Sequence, residues 1–150
     1  MRTLLPIAAL LVSSAAFAAN TETPRVITLN QVGCQFLESE GDVNHGYRPK
    51  SAADCERINK ASSEKRVGEA KVLELPAGKY VFRVTNRDVP YELGFWLRGA
   101  SLAGRALLPS VSGGGLTTGV TQDYEIALKP GEYVYSCPLN PTPDYKLVVR

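Results

Sequence analysis

Apolar and polar residues alternate in short runs from residue 25 to the end of the chain. Arg25-Val-Ile-Thr-Leu-Asn30 alternates and is β-branched, which predicts a half-buried strand. Lys71-Val-Leu-Glu-Leu75 alternates again, and Pro76-Ala-Gly78 turns the chain into Lys79-Tyr-Val-Phe-Arg-Val-Thr85. Tyr91-Glu-Leu-Gly-Phe-Trp-Leu97 follows a polar turn. Asp123-Tyr-Glu-Ile-Ala-Leu128 leads through Lys129-Pro-Gly131 into Glu132-Tyr-Val-Tyr-Ser-Cys137, and Tyr145-Lys-Leu-Val-Val-Arg150 ends the chain. Seven short strands separated by turn signals predict an all-β sandwich.

One region breaks this rhythm. Ser51-Ala-Ala-Asp-Cys-Glu-Arg-Ile-Asn59 offers Ser51 as an N-cap with Asp54 three residues on, which predicts a short helix. Glu38 to Lys50 and Lys60 to Glu69 are polar and read as exposed loop. Residues 38–69 therefore form a polar insertion. Ser110-Val-Ser-Gly-Gly-Gly-Leu116 reads as a flexible loop, because no helix start follows the glycines to make an anion cradle.

Composition narrows the function. The 150 residues carry 17 basic and 15 acidic side chains, a formal charge of +2, which gives no electrostatic case for nucleic acid. Trp96, Phe95 and Tyr80 alternate on strands and read as core or sheet surface rather than as a stacking platform for bases. One His and one Met exclude sites built from several imidazoles within one chain. Met1 to Ala18 has Arg2 ahead of an apolar run and Ala16-Phe17-Ala18 at its end, which reads as a secretory signal peptide. The run falls short of the roughly 20 apolar residues of a membrane span, so no span is expected after cleavage. Residues 19–150 then form one domain, exported to a periplasm, where disulfides persist.

The last third of the chain resembles the cupredoxins, the small blue-copper sandwich proteins. The residues that carry the resemblance are Leu128-Lys-Pro-Gly-Glu-Tyr-Val-Tyr-Ser-Cys137 and, upstream, Leu75-Pro-Ala-Gly-Lys-Tyr-Val-Phe-Arg-Val-Thr-Asn86. Tyr91 to Leu97 sits where the family's first ligand strand belongs. The likeness implies a cupredoxin-like Greek-key β-sandwich of about seven to eight strands, here with one short helical insertion. It is nearest to periplasmic cupredoxin-like proteins of iron and copper handling. Copper is the one cofactor it admits, and none is certain.

A type-1 copper site needs two imidazoles and a thiolate in a plane, with a weak axial thioether. The family places its first His about five residues after the Asn, its second about three after the Cys, and its Met some five later. Those places hold Tyr91, Asn140 and Tyr145 here, and Cys137 alone matches. The resemblance thus implies a sandwich pole where Tyr91, Cys137, Asn140 and Tyr145 meet without an ordinary blue copper centre. Pro138, Pro141 and Pro143 stiffen the intervening loop. Either Cys137 is a buried hydrophobe of a degenerate site, or it is the remaining metal ligand.

Cys34 and Cys55 lie outside these strands. In an oxidising compartment they are expected to pair, closing a loop of about 20 residues and stabilising the fold by roughly 3 kcal/mol. The rival grouping takes Cys34, His45 and Cys55 as metal ligands, with Glu38, Asp42 or solvent as the fourth. Otherwise His45 is a solvated loop residue. Catalysis has no motif: the lone imidazole lacks a Ser-His-Asp pattern, and Asp88 and Glu92 read as solvated turn carboxylates. The expected function is that of a binding or accessory protein, not an enzyme, beside a periplasmic redox or metal-transport partner. The alternative is an electron-transfer protein with a non-standard copper site anchored by Cys137.

Overall fold

Residues 22–150 are described by the structure, a computed structural model; the signal segment lies outside the described residues. All seven predicted strands form. They are β1 (Arg25–Val32), β3 (Leu73–Leu75), β4 (Gly78–Asn86), β5 (Leu93–Gly99), β7 (Thr121–Leu128), β8 (Gly131–Ser136) and β9 (Tyr145–Val149), joined by β2 (Gln35–Phe36) and β6 (Val111–Leu116). Among the described residues nine strands make two sheets, ordered β2-β1-β4-β7 and β3-β9-β8-β5-β6. β1 runs parallel to β4 and β3 parallel to β9, and the other pairs are antiparallel. The arrangement is a cupredoxin-like β-sandwich.

Alternation explains the core. Along β4, Tyr80, Phe82 and Val84 are buried while Lys79, Arg83 and Thr85 face outward or sit part-exposed. They share one core cluster with Phe36, Phe95, Tyr124, Tyr135 and Tyr145 from the other strands, where Phe82 stacks on Phe95 and Phe36 stands edge-on to Phe95, Tyr135 and Tyr145. Phe95 and Tyr80 are core residues, as expected, and Trp96 lies on the outer face with the Arg98 guanidinium 4.0 Å above its ring.

Three sequence expectations are corrected. The helix does not stop at Asn59: α1 spans Ala52–Glu69 and takes in the supposed loop from Lys60 to Glu69. A capping box starts it, with Asp54 accepting from the Ser51 backbone N–H at 3.1 Å. Its buried residues are Cys55 and Arg66, eleven apart and so on one face, a cysteine and a cation in place of an apolar stripe. The triple glycine is strand β6, paired to β5 through a bulge between Leu93 and Phe95, not a flexible loop. Gly94 and Gly113 let these strands approach; a Cβ on Gly94 would stand 2.7 Å from the Gly113 carbonyl oxygen. Glu38–Lys50 is not uniformly exposed either: a 3-10 turn over Glu38–Glu40 buries Ser39, and a further helix, α2 (Leu102–Leu107), links β5 to β6.

Candidate functional site at one pole of the sandwich

One end of the sandwich gathers the β4–β5 loop, the β8–β9 loop and the β1–β2 turn. Asn86, at the end of β4, organises the first of these. Its Nδ2 donates to the carbonyls of Val89, Tyr91 and Leu116 at 3.0–3.1 Å, and its Oδ1 accepts from Val89 N–H at 2.9 Å. A buried amide with every partner satisfied fixes the loop rigidly and sets where Tyr91 emerges.

The Cys137 side chain follows β8 and is 1% exposed. Its sulfur accepts from the Gly94 backbone N–H at 3.3 Å and the Asn140 backbone N–H at 3.2 Å. Burial pushes the thiol pKa up, and these N–H groups, with that of Leu139 and the Gln31 amide, offset it only in part, so the sulfur is a protonated thiol at neutral pH.

Asn140 is fully buried and joins this thiol to the rest of the pole. Its Oδ1 accepts from the Tyr91 hydroxyl at 2.9 Å and the Cys34 backbone N–H at 3.4 Å, and its Nδ2 donates to the Val32 carbonyl at 3.3 Å. The same Oδ1 lies 2.9 Å from Cys55 Sγ. That is an oxygen–sulfur contact, since Cys55 is bridged to Cys34 and carries no proton. Burial first, then the neighbouring Cys137 and Asp54, push the Tyr91 phenol to about 12, so it stays a donor. The structure thus brings Tyr91, Cys137 and Asn140 together with the Cys34–Cys55 disulfide.

Tyr145 is not part of that set. It pairs with Tyr135 across β8 and β9, and its hydroxyl donates to Glu40 instead of approaching the thiol. The carboxylate of Glu40, 4% exposed, receives Arg66 through Nε at 3.0–3.1 Å and Nη2 at 2.7 Å, and His45 Nε2 lies 2.6 Å away. Burial pushes the Glu40 carboxyl up; the hydrogen bonds from Arg66, Tyr145 and His45 and the Arg66 charge outweigh it and hold the group below the ordinary carboxylate range. Burial, with the Glu40 carboxylate beside it, raises the Tyr145 phenol. Arg66 also donates to the Cys34 carbonyl at 3.0 Å and to Asn59 Oδ1 at 2.7 Å, and Asn59 in turn donates to the Pro141 carbonyl. Helix α1 is thereby held against the pole at Cys55, Asn59 and Arg66.

The grouping of Cys34, His45 and Cys55 as metal ligands is overturned by the disulfide. His45 is the exposed loop residue expected, and its ring stacks on Tyr47 with Nε2 2.6 Å from the Glu40 carboxylate. Glu38 is committed to Asn30, accepting its backbone N–H at 2.7 Å and its Nδ2 at 2.5 Å. Glu92 is exposed, as expected of a turn carboxylate, and accepts from the Gly115 N–H at 2.7 Å, which ties β6 down. Among the described residues no set of three His, Cys, Asp or Glu side chains is placed to hold a metal ion.

Sequence reasoning missed Gln31, Glu40, Asn59 and Arg66. Gln31 alone left a signal: it shares strand parity with Ile27 and Leu29, so its amide had to point into the core.

The fold is that of a cupredoxin-like sandwich. No family model and no curated protein matches the chain. Among solved structures, auracyanin B superposes with a TM-score of 0.51 at 13% identity, over 87% of this chain and 92% of that one. The reduced Cu(I) form of an amicyanin variant covers 89% of this chain and 90% of its own at 15% identity, with a TM-score of 0.44. A copper-containing nitrite reductase from Thermus scotoductus SA-01 is 21% identical over 91% of this chain and 25% of that one, with a TM-score of 0.46. At 13% identity the likeness to auracyanin B shows the fold alone and leaves the chemistry to the residues of this chain.

Proposed function

We propose that the chain is an exported cupredoxin-like binding or accessory protein, serving copper or iron handling beside a periplasmic redox or metal-transport partner, without an ordinary blue copper site. In this reading Met1 to Ala18 is removed and residues 19–150 act as one domain. The observation that carries it is the closed pole. Asn140 lies against both sulfur groups, its backbone N–H on the Cys137 thiol and its Oδ1 on the Cys34–Cys55 bridge, and the Tyr91 hydroxyl donates to that Oδ1. The donor set does not fit a type-1 centre: amide, phenol and one thiol stand there, and the single imidazole is engaged with Glu40. That same engagement leaves no imidazole for a serine nucleophile, which supports binding over catalysis. The disulfide is consistent with an oxidising compartment. Among the described residues no helix is long and apolar enough to cross a membrane. The test is Cu(II) titration of the purified, signal-free chain. Absence of an intense visible thiolate-to-copper band is expected.

A second reading has its own observation. The N–H groups of Gly94 and Asn140 converge on the Cys137 sulfur, an arrangement that suits a thiolate. It makes the chain an electron-transfer protein with a non-standard copper site anchored by Cys137. An intense blue wild type in the same titration would replace the first reading with this one.

A further inference from the structure

The β1–β2 turn, the stretch before α1 and the β4–β5 loop enclose a pocket of about 240 Å³. Tyr47, Pro49, Val89 and Pro90 are the larger apolar residues of its lining. Its walls are preformed. Val89 is 1% exposed; Asn86 Oδ1 accepts its N–H at 2.9 Å, and the Thr118 hydroxyl donates to its carbonyl at 2.6 Å. Pro49 is buried, with its φ fixed by the ring. Gly33 also lines the pocket. A Cβ there would stand 2.3 Å from the Tyr47 carbonyl oxygen and 2.6 Å from Pro49 Cδ, so only glycine lets residues 47–50 lie against the turn. The Tyr47 ring is braced by the Arg66 guanidinium at 5.3 Å and by the stacked His45 ring at 5.5 Å.

Charge borders this recess. Arg48 and Lys50 flank the buried Pro49 and line the pocket from exposed positions. Neither makes an ion pair among the described residues, and neither does Asp88, the one carboxylate of the lining. Asp54, at the start of α1, accepts from the backbone N–H groups of Lys50 and Ser51 and from Arg57, so it is committed elsewhere than to the Lys50 ammonium. Two cations against one carboxylate leave the lining with a positive excess. Water satisfies an exposed cation anywhere on a surface; here two unpaired cations border a rigid apolar recess, the combination that small-molecule sites use.

We propose that this pocket binds a small organic monocarboxylate with an apolar ring, its carboxylate held by Arg48 and Lys50 and its ring against Pro49, Val89 and Pro90. A guanidinium offers a carboxylate two parallel N–H donors, and an ammonium adds a compact charge beside it. The volume lies below the roughly 300–1,000 Å³ of drug-sized sites, which limits the ligand to a single ring. Asp88 repels a second acid group, so monocarboxylates are selected over dicarboxylates. Neither a sulfur nor a metal takes part, so the site stands apart from the metal-handling reading.

The probe is phenylacetate, added to the signal-free chain with its bridge intact and followed by calorimetry and by proton–nitrogen NMR. Saturable binding is expected, with amide shifts around Gly33, Lys50 and Val89 and none at the indole of Trp96, which lies outside the lining. Phenylacetamide keeps the shape without the charge, and acetate keeps the charge without the ring. Each should bind at least about tenfold more weakly. Arg48→Ala with Lys50→Ala changes two exposed positions, and circular dichroism checks that the fold is kept. That double variant should weaken phenylacetate binding at least about tenfold, and Asp88→Asn should tighten it. No binding below about 10 mM, equal affinity for the amide, or shifts away from the pocket overturns the proposal. So does indifference to the loss of both cations, or weaker binding by Asp88→Asn.

Discussion

Replacing Glu40 by Gln should be among the most damaging single changes available outside the aromatic core. The Glu40 and Arg66 side chains are 4% and 5% exposed, and the pair fastens α1 to the sandwich. Glu40→Gln removes the charge and turns one acceptor into a donor, facing Arg66, Tyr145 or His45, all of which the carboxylate now satisfies. Removing one partner of a buried pair leaves the other uncompensated and costs about 3–5 kcal/mol. With a urea dependence of about 1–3 kcal/mol per molar, the midpoint should fall by at least about 1 M. The assay is urea unfolding followed by the fluorescence of the single tryptophan, Trp96. Asp123→Asn, which breaks the half-exposed Arg83–Asp123 pair, is the control and should cost little. Acidity supplies a second check. The folded Glu40 carboxyl lies below its unfolded value, so its contribution is complete above the unfolded pKa, about 4.3, and is lost as pH falls through the folded one. The gap between wild type and Glu40→Gln should therefore narrow in acid, where wild-type Glu40 is itself protonated. A Glu40→Gln penalty no larger than that of Asp123→Asn, or one unchanged from pH 7 to strong acid, would refute the argument.

The cysteines give the next expectation: the denatured, unreduced chain should show one reactive thiol, Cys137, and Cys55→Ser should cost roughly 2–5 kcal/mol. Three thiols, or a peptide map placing Cys137 in the bridge, would contradict it. Tyr91→His with Asn140→His places two nitrogen donors beside the Cys137 thiol and should give a visible thiolate–copper band that neither single variant gives. A folded double variant colourless in excess Cu(II) would count against that arrangement. Gly94→Ala drives a methyl toward the Gly113 carbonyl and should lower the unfolding free energy by about 1–3 kcal/mol; a neutral result in a thermal melt would show that β5 and β6 part easily.

The sandwich was legible because its strands obey a two-residue period. Tyr80, Phe82 and Val84 against Lys79, Arg83 and Thr85 need no tertiary information. The second half of α1 was not, because its inward face is held by a disulfide, an amide and a guanidinium, and no apolar period marks residues 60–69. β6 hid behind three glycines that read as loop in isolation and become strand only beside Gly94. The bridge between Cys34 and Cys55 could be expected from compartment and spacing. That Tyr91 and Asn140 hydrogen-bond to each other could be approached through offsets from Asn86 and Cys137, but that α1 brings the bridge to the same place could not. Glu40 and Arg66 sit in polar runs, where composition says nothing about which charge is buried.

The order of the strands has a consequence for how this molecule meets others. The sheets end on β2, β7, β3 and β6. β2 is two residues long and β3 three; β6 is bulged and glycine-rich; β7 lines its outer face with Asp123 and Glu125. None offers the long, flat, uncharged border that templates the addition of a foreign strand. The chain is therefore guarded against edge-to-edge aggregation, and neither sheet invites a second chain to extend it.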